Sequence, residues 1–132
     1  MAQESGDNKR QKAADWGRLG EKLAAEHLAS KGFAVTEYNW RCGNKLELDL
    51  ISEQGSEMVF IEVKTRNGKM LSAEDAIDEK KIKRIVRAAN AYLNSLEREY
   101  DARFDVALVE GTPEDYEFTY IKSAFVPPLN AR

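Results

Sequence analysis

The chain has 132 residues, 42% hydrophobic and 33% charged, with a formal net charge of -3. That size builds one domain around one core. The acidic balance excludes a general electrostatic pull toward nucleic acid, so any such contact needs a local basic patch. The single cysteine, Cys42, excludes an internal disulfide and reads as an inert thiol. No apolar run approaches the roughly 20 residues of a membrane helix, and the polar opening stretch lacks a signal-peptide core. A cytoplasmic location without membrane contact is expected.

Residues 1–11 read as a disordered polar arm, 12–126 as the folded domain and 127–132 as a C-terminal tail. From Lys12 to Lys31 the pattern is helical. At about 100° per residue, Trp16, Leu19, Leu23, Ala24 and Leu28 form one arc, with Gly20 and His27 inside it. Glu21 falls on the rim, looking along the boundary between core and solvent. Gly17 and Gly20 each weaken a helix by roughly 1 kcal/mol relative to alanine, which points to a close packing partner. His27, the only histidine, reads as a packed side chain rather than a ligand.

Phe33–Asn39 reads as a first strand, Trp40–Lys45 as a loop or bulge, Leu46–Ile51 as a second strand and Met58–Lys64 as a third. An antiparallel hairpin centred near Gly55 matches Asp49 with Glu62 and Glu47 with Lys64. Leu46, Leu48, Leu50, Val59, Ile61 and Val63 then share a wholly apolar face. Glu47, Asp49, Glu62 and Lys64 gather at one end of the other face. A polar loop runs from Arg66 to Leu71. A helix follows from Asp78, its N-cap, to Glu99, and its first half is basic. Strands at Phe104–Val109 and Glu117–Ile121 complete the order αβββαββ, a mixed α/β domain.

Asp49 followed by Glu62-Val63-Lys64 suits metal-assisted phosphodiester hydrolysis. Asp49 and Glu62 are hard oxygen ligands for Mg²⁺ or Mn²⁺, and the Val63 carbonyl adds a ligand between them. Lys64 positions the attacking water or stabilises phosphate charge, and Glu21 completes the ligand set directly or through water. The plainer alternatives are a strand-end salt bridge between Glu62 and Lys64, a solvated Glu21, and Glu47 as cross-strand partner of Lys64.

The Asp49…Glu62-Val63-Lys64 pattern resembles the PD-(D/E)xK nuclease superfamily. Gly17-Arg18-Leu19-Gly20-Glu21, Asn39-Trp40-Arg41-Cys42, Glu47-Leu48-Asp49-Leu50-Ile51, Glu62-Val63-Lys64-Thr65-Arg66, Lys81, Arg103-Phe104-Asp105-Val106 and Ala124-Phe125 resemble, in order, the blocks of the small bacterial YraN-like family. The resemblance spans about Trp16 to Phe125. It implies a restriction-endonuclease-like mixed β-sheet flanked by helices, similar to archaeal Holliday-junction resolvases, and a metal-dependent endonuclease ancestry. One departure stands out: that family usually has glycine before its Glu-Ile-Asp element, and this chain has Leu46.

Arg41, Arg66, Lys81 and Arg84 are the candidate phosphate contacts, Lys81 by its match to the family. The alternative for the basic helix is a solvated face. Nothing reads as a base-specific code, so the expected partner is DNA bound by structure or without sequence preference, branched and damaged forms included. A catalytically weak or inactive nucleic-acid-binding module, and an interaction domain for a DNA-processing protein, are the alternatives. A homodimer suits a nuclease that addresses two strands.

Overall fold

The structure is a computed structural model that describes residues 6–68 and 77–127. The elements run α1 (Gly6–Ser30), β1 (Ala34–Cys42), β2 (Leu46–Gln54), β3 (Glu57–Arg66), α2 (Glu79–Asn94), β4 (Asp101–Thr112) and β5 (Asp115–Phe125). This is the expected mixed α/β order. Residues 6–11, expected in a disordered arm, are instead the opening turns of α1. A hydrogen bond from Gln11 to Asp15 at 3.0 Å and the Arg18–Asp15 ion pair link successive turns on its exposed surface. Residues 1–5, the end of the polar loop at Leu71 and the tail beyond Pro127 lie outside the described residues.

The five strands form one sheet in the order β1-β2-β3-β4-β5. Only β3 and β4 are parallel, joined by a crossover through α2, and the other neighbours are antiparallel. Asp78 caps α2, accepting the Lys81 N–H at 2.8 Å. The helix stops at Asn94 rather than Glu99, with Ser95 as its C-cap, whose hydroxyl donates to the Tyr92 carbonyl at 2.6 Å. Trp40–Cys42, expected in a loop, belongs to β1. Trp40 sets its ring edge-on against Tyr92, with centroids 5.2 Å apart, and holds the strand to the core.

Helices cover both faces of the sheet. On one, Ile85, Val86, Ala89 and Tyr92 of α2 pack on Leu48, Ile51, Met58, Phe60 and Phe104. On the other, Ala24 and Leu28 of α1 pack on Leu50, Val59, Ile61 and Ala107. His27 lies with this second layer, stacked on Phe118 with centroids 4.3 Å apart.

The hairpin register is the expected one from Leu50↔Ile61 through Gln54↔Glu57. The single apolar face is corrected. Leu46 and Leu48 pack on the α2 side, whereas Leu50 packs on the α1 side. Two residues apart, Leu48 and Leu50 would share a face of a regular strand, so the alternation is interrupted at Asp49. The same break runs through β1. Tyr38 lines a groove beside α1, while Trp40 packs on the α2 side. Asn39 between them has a left-handed backbone, φ 50°, and lies level with Asp49, between the pairs Tyr38↔Leu50 and Trp40↔Leu48. Asparagine tolerates that conformation better than most residues. Both strands therefore turn over together at Asn39 and Asp49. Leu46 is regularly paired with Cys42 and packs against the α2 core, so the irregularity is not at the position of the absent family glycine.

Candidate functional site

The β2–β3 ladder ends at Leu50↔Ile61. One step further, the Val63 N–H donates to Asp49 Oδ2 at 2.9 Å, so a side chain stands where a backbone carbonyl would continue the ladder. The two strands separate around this carboxylate. Glu62, 9% exposed, lies on the Phe60 side of β3 beneath the start of α2. The Asp49 carboxyl lies close enough for each acid to act on the other's proton affinity.

Burial raises both acids above the usual carboxylate range. For Glu62 burial is joined by the Asp49 charge, and its carboxyl is pushed up to about 8 despite the opposing pull of Lys81. For Asp49 the Val63 N–H partly offsets the burial. Lys81 reaches in from α2, its Nζ 3.5 Å from Glu62 Oε1. Glu21 enters from α1. Burial first, and the Asp49 charge second, push it up to about 7, while a hydrogen bond with Asn39 opposes the rise.

The fold thus sets Asp49 between Glu62, which Lys81 meets from α2, and Glu21, which α1 brings within electrostatic reach of Asp49. It does so by close packing of α1 on β3. A β-carbon at Gly20 would overlap the Thr65 methyl group, so only glycine lets the helix lie this near. Trp16 Nε1–H donates to the Arg66 carbonyl at 3.3 Å and fixes the same contact one turn earlier.

Other predicted residues fall elsewhere. The cross-strand partnership of Glu47 with Lys64 is corrected. The ladder has already ended, and Glu47 pairs instead with Arg41 across β1 and β2 at 3.4 Å. Glu47 still lies near enough to raise Asp49 and Glu21 electrostatically. Lys64 is half-buried, two residues beyond Glu62 and level with Leu108 of β4. Arg41 is 72% exposed in its side chain, and Arg66 and Arg84 are exposed. Sequence reading overlooked Asn39 as the partner of Glu21. Its signal was an asparagine between the two aromatic residues Tyr38 and Trp40, a residue suited to positive φ.

Among the described residues, no three His, Cys, Asp or Glu side chains close on one point. Side chains alone therefore do not cage a metal here. A hard divalent cation that takes one or two carboxylates and fills its remaining positions with water and phosphate oxygen is the kind that fits. Asp49 and Glu62 could supply those carboxylates, with the Val63 carbonyl and Glu21 as further donors.

A five-stranded mixed sheet between two helices, with a buried pair of acids where β2 and β3 part, defines a mixed α/β domain with a carboxylate site at a strand fork. The chain belongs to the family described as "Uncharacterised protein family UPF0102", whose model matches residues 20–109. It is 39% identical over 116 residues to a UPF0102 protein of Phocaeicola vulgatus, covering 87% of this chain and 95% of that one. It is 40% identical over 114 residues to a UPF0102 protein of Bacteroides thetaiotaomicron, covering 86% and 93%. A UPF0102 protein of Chlorobium chlorochromatii is 40% identical over 116 residues, covering 83% and 89%. No helix among the described residues is long and apolar enough to cross a membrane.

Proposed function

We propose that this protein is a metal-dependent nuclease that hydrolyses DNA phosphodiester bonds. The observation that carries this reading is the buried Asp49–Glu62 pair at the strand fork, with Glu21 and Lys81 facing it. Two desolvated acids side by side, with the charge of Asp49 raising Glu62 further, are costly to stability, and such an arrangement suits a site that meets a cation.

Asp49 and Glu62, with the Val63 carbonyl, would hold Mg²⁺ or Mn²⁺, which when bound supplies Lewis acidity toward a phosphoryl oxygen and toward water. Glu21, pushed up to about 7, can hold or release a proton at the rim near neutral pH. Asn39 orients it by a hydrogen bond. Lys64 is assigned to the nucleophile or the phosphate, and Arg41, Arg66 and Arg84 to the flanking backbone. With no base-reading element in view, selection by DNA structure, branched forms included, is favoured over selection by sequence.

The test is a cleavage panel of single-stranded, duplex, flap and four-way DNA with Mg²⁺ or Mn²⁺. Cleavage lost in Asp49→Ala, Glu62→Ala and Lys64→Ala is expected, and failure to cut any substrate with either metal overturns the reading. A second reading is a module that keeps the fold and binds nucleic acid or another protein without cutting. Binding that survives Lys64→Ala, with no cleavage by the unaltered chain, would establish it.

A further inference from the structure

We infer that Lys81 is the resident counter-ion of the Asp49–Glu62 pair: a divalent cation must displace its ammonium, which then becomes available to a nucleic-acid phosphate. This rests on the metal-site reading above and goes beyond it by naming what the cation competes with. It also gives Lys81 two positions in place of the single phosphate contact expected from sequence.

Three observations carry the inference. Lys81 Nζ lies 3.5 Å from Glu62 Oε1, and the acid it meets is almost wholly buried, its side chain 10% exposed against 35% for Lys81. The lysine therefore reaches from the surface into a desolvated site by a long flexible stem. Lys81 also acts electrostatically on Asp49, so one ammonium serves both carboxyls. Finally, the base of the side chain is fixed. The Lys81 N–H is bound by the Asp78 cap at 2.8 Å, which anchors the residue in the first turn of α2 while the ammonium can move. A point charge held this way gives the acids a partner when no metal is present. A cation with stronger bonds to the same oxygens replaces it. The released ammonium then stays at the positive end of α2, where a phosphate is favoured.

The experiment is calorimetric titration of the full chain with Mn²⁺ and with Mg²⁺, for the unaltered chain, Lys81→Met and Lys80→Met. Lys80→Met removes an equal charge from an exposed neighbouring position. Tighter metal binding by at least about 5-fold in Lys81→Met, with Lys80→Met changed by less than about 2-fold, is expected for coupling through a direct contact. NMR of the lysine ε-methylene groups supplies a second readout: the Lys81 signal should go from restricted to mobile as Mg²⁺ is added. Unchanged or weaker metal binding in Lys81→Met overturns the inference while leaving the metal site standing, and so does a Lys81 signal indifferent to metal. Absence of metal binding in both the unaltered chain and Lys81→Met overturns the metal site and the inference together. Metal binding gained only in Lys81→Met supports both.

Discussion

Gly20 of α1 lies directly against Thr65 of β3, so close that an added β-carbon would overlap the threonine methyl group. The next residue along the helix is Glu21, and the next but two back along the strand is Glu62. The contact therefore sets the spacing between the acids that the helix and the sheet contribute. Gly20→Ala is expected to force α1 outward and to destabilise the fold by about 1–3 kcal/mol, as overpacking does. Gly17→Ala meets Thr65 only at ordinary contact distance, 3.9 Å, and is expected to be tolerated. Chemical denaturation of the two variants checks the contrast, and equal stabilities would contradict it.

Asp49 does two things at once: it accepts the Val63 N–H and it carries a charge in a desolvated place. The two can be separated. Asp49→Ala leaves a partly buried N–H without its acceptor and is expected to cost about 1–3 kcal/mol. Asp49→Asn keeps an acceptor oxygen and removes the charge that Glu62 opposes. It is expected to be at least as stable as the unaltered chain, while both variants lose divalent-metal binding. Denaturation and metal titration side by side check this, and an Asn variant as unstable as the Ala variant would show that the charge itself holds the strands.

The raised carboxyls predict a pH dependence of definite sign. Glu62 and Glu21 shift from an ordinary value of 4.5 to about 8 and about 7 in the fold, chiefly through burial. Between those values the folded chain keeps protons that the unfolded chain has lost. Their contribution to stability is therefore full below the unfolded value, falls as pH rises from about 4.5 to about 8, and is flat beyond. Glu62→Gln is expected to flatten this decline, and saturating Mg²⁺ to raise stability most at its alkaline end, where the acids are ionised and binding stabilises the fold. Unfolding free energies measured across the window check the sign. A profile for Glu62→Gln parallel to that of the unaltered chain would contradict it.

Asp105 is the most buried acid among the described residues, and its work is structural. It accepts from Arg103 Nη2 at 2.9 Å, from the Ser123 N–H at 2.9 Å and from the Tyr120 hydroxyl. Ser123 has a left-handed backbone, φ 53°, near the point where the β4–β5 register shifts. Asp105→Ala leaves the nearly buried Arg103 without its main partner and is expected to cost about 3–5 kcal/mol, with no specific loss of metal binding in the molecules that remain folded. Thermal unfolding with metal titration below the transition checks this.

The sequence by itself determined the element order and most of the hairpin. Alternation in Leu50–Ile51 and Val59–Ile61 specified one register, because a slip of one residue would bury charge. Those pairs are found as expected. The same alternation placed Asp49 beside Glu62, and the helical arc placed Glu21 on the rim between core and solvent, while the packing of α1 brings it within reach of Asp49. What period alone did not reveal is where the period breaks. The turnover at Asn39 and Asp49 depends on a side chain replacing a backbone hydrogen bond across strands, a choice made only once the strands are packed. Element ends were displaced for two reasons: Trp40 is held by its distant contact with Tyr92, whereas the Ser95 cap is a local bond to Tyr92 that apolar periodicity does not register. Lys81 is the sharpest case. In sequence it is one of several cations on a basic helix. The crossover from β3 to β4 sets the first turn of α2 over Glu62, and only that tertiary placement makes its ammonium the partner of a buried acid.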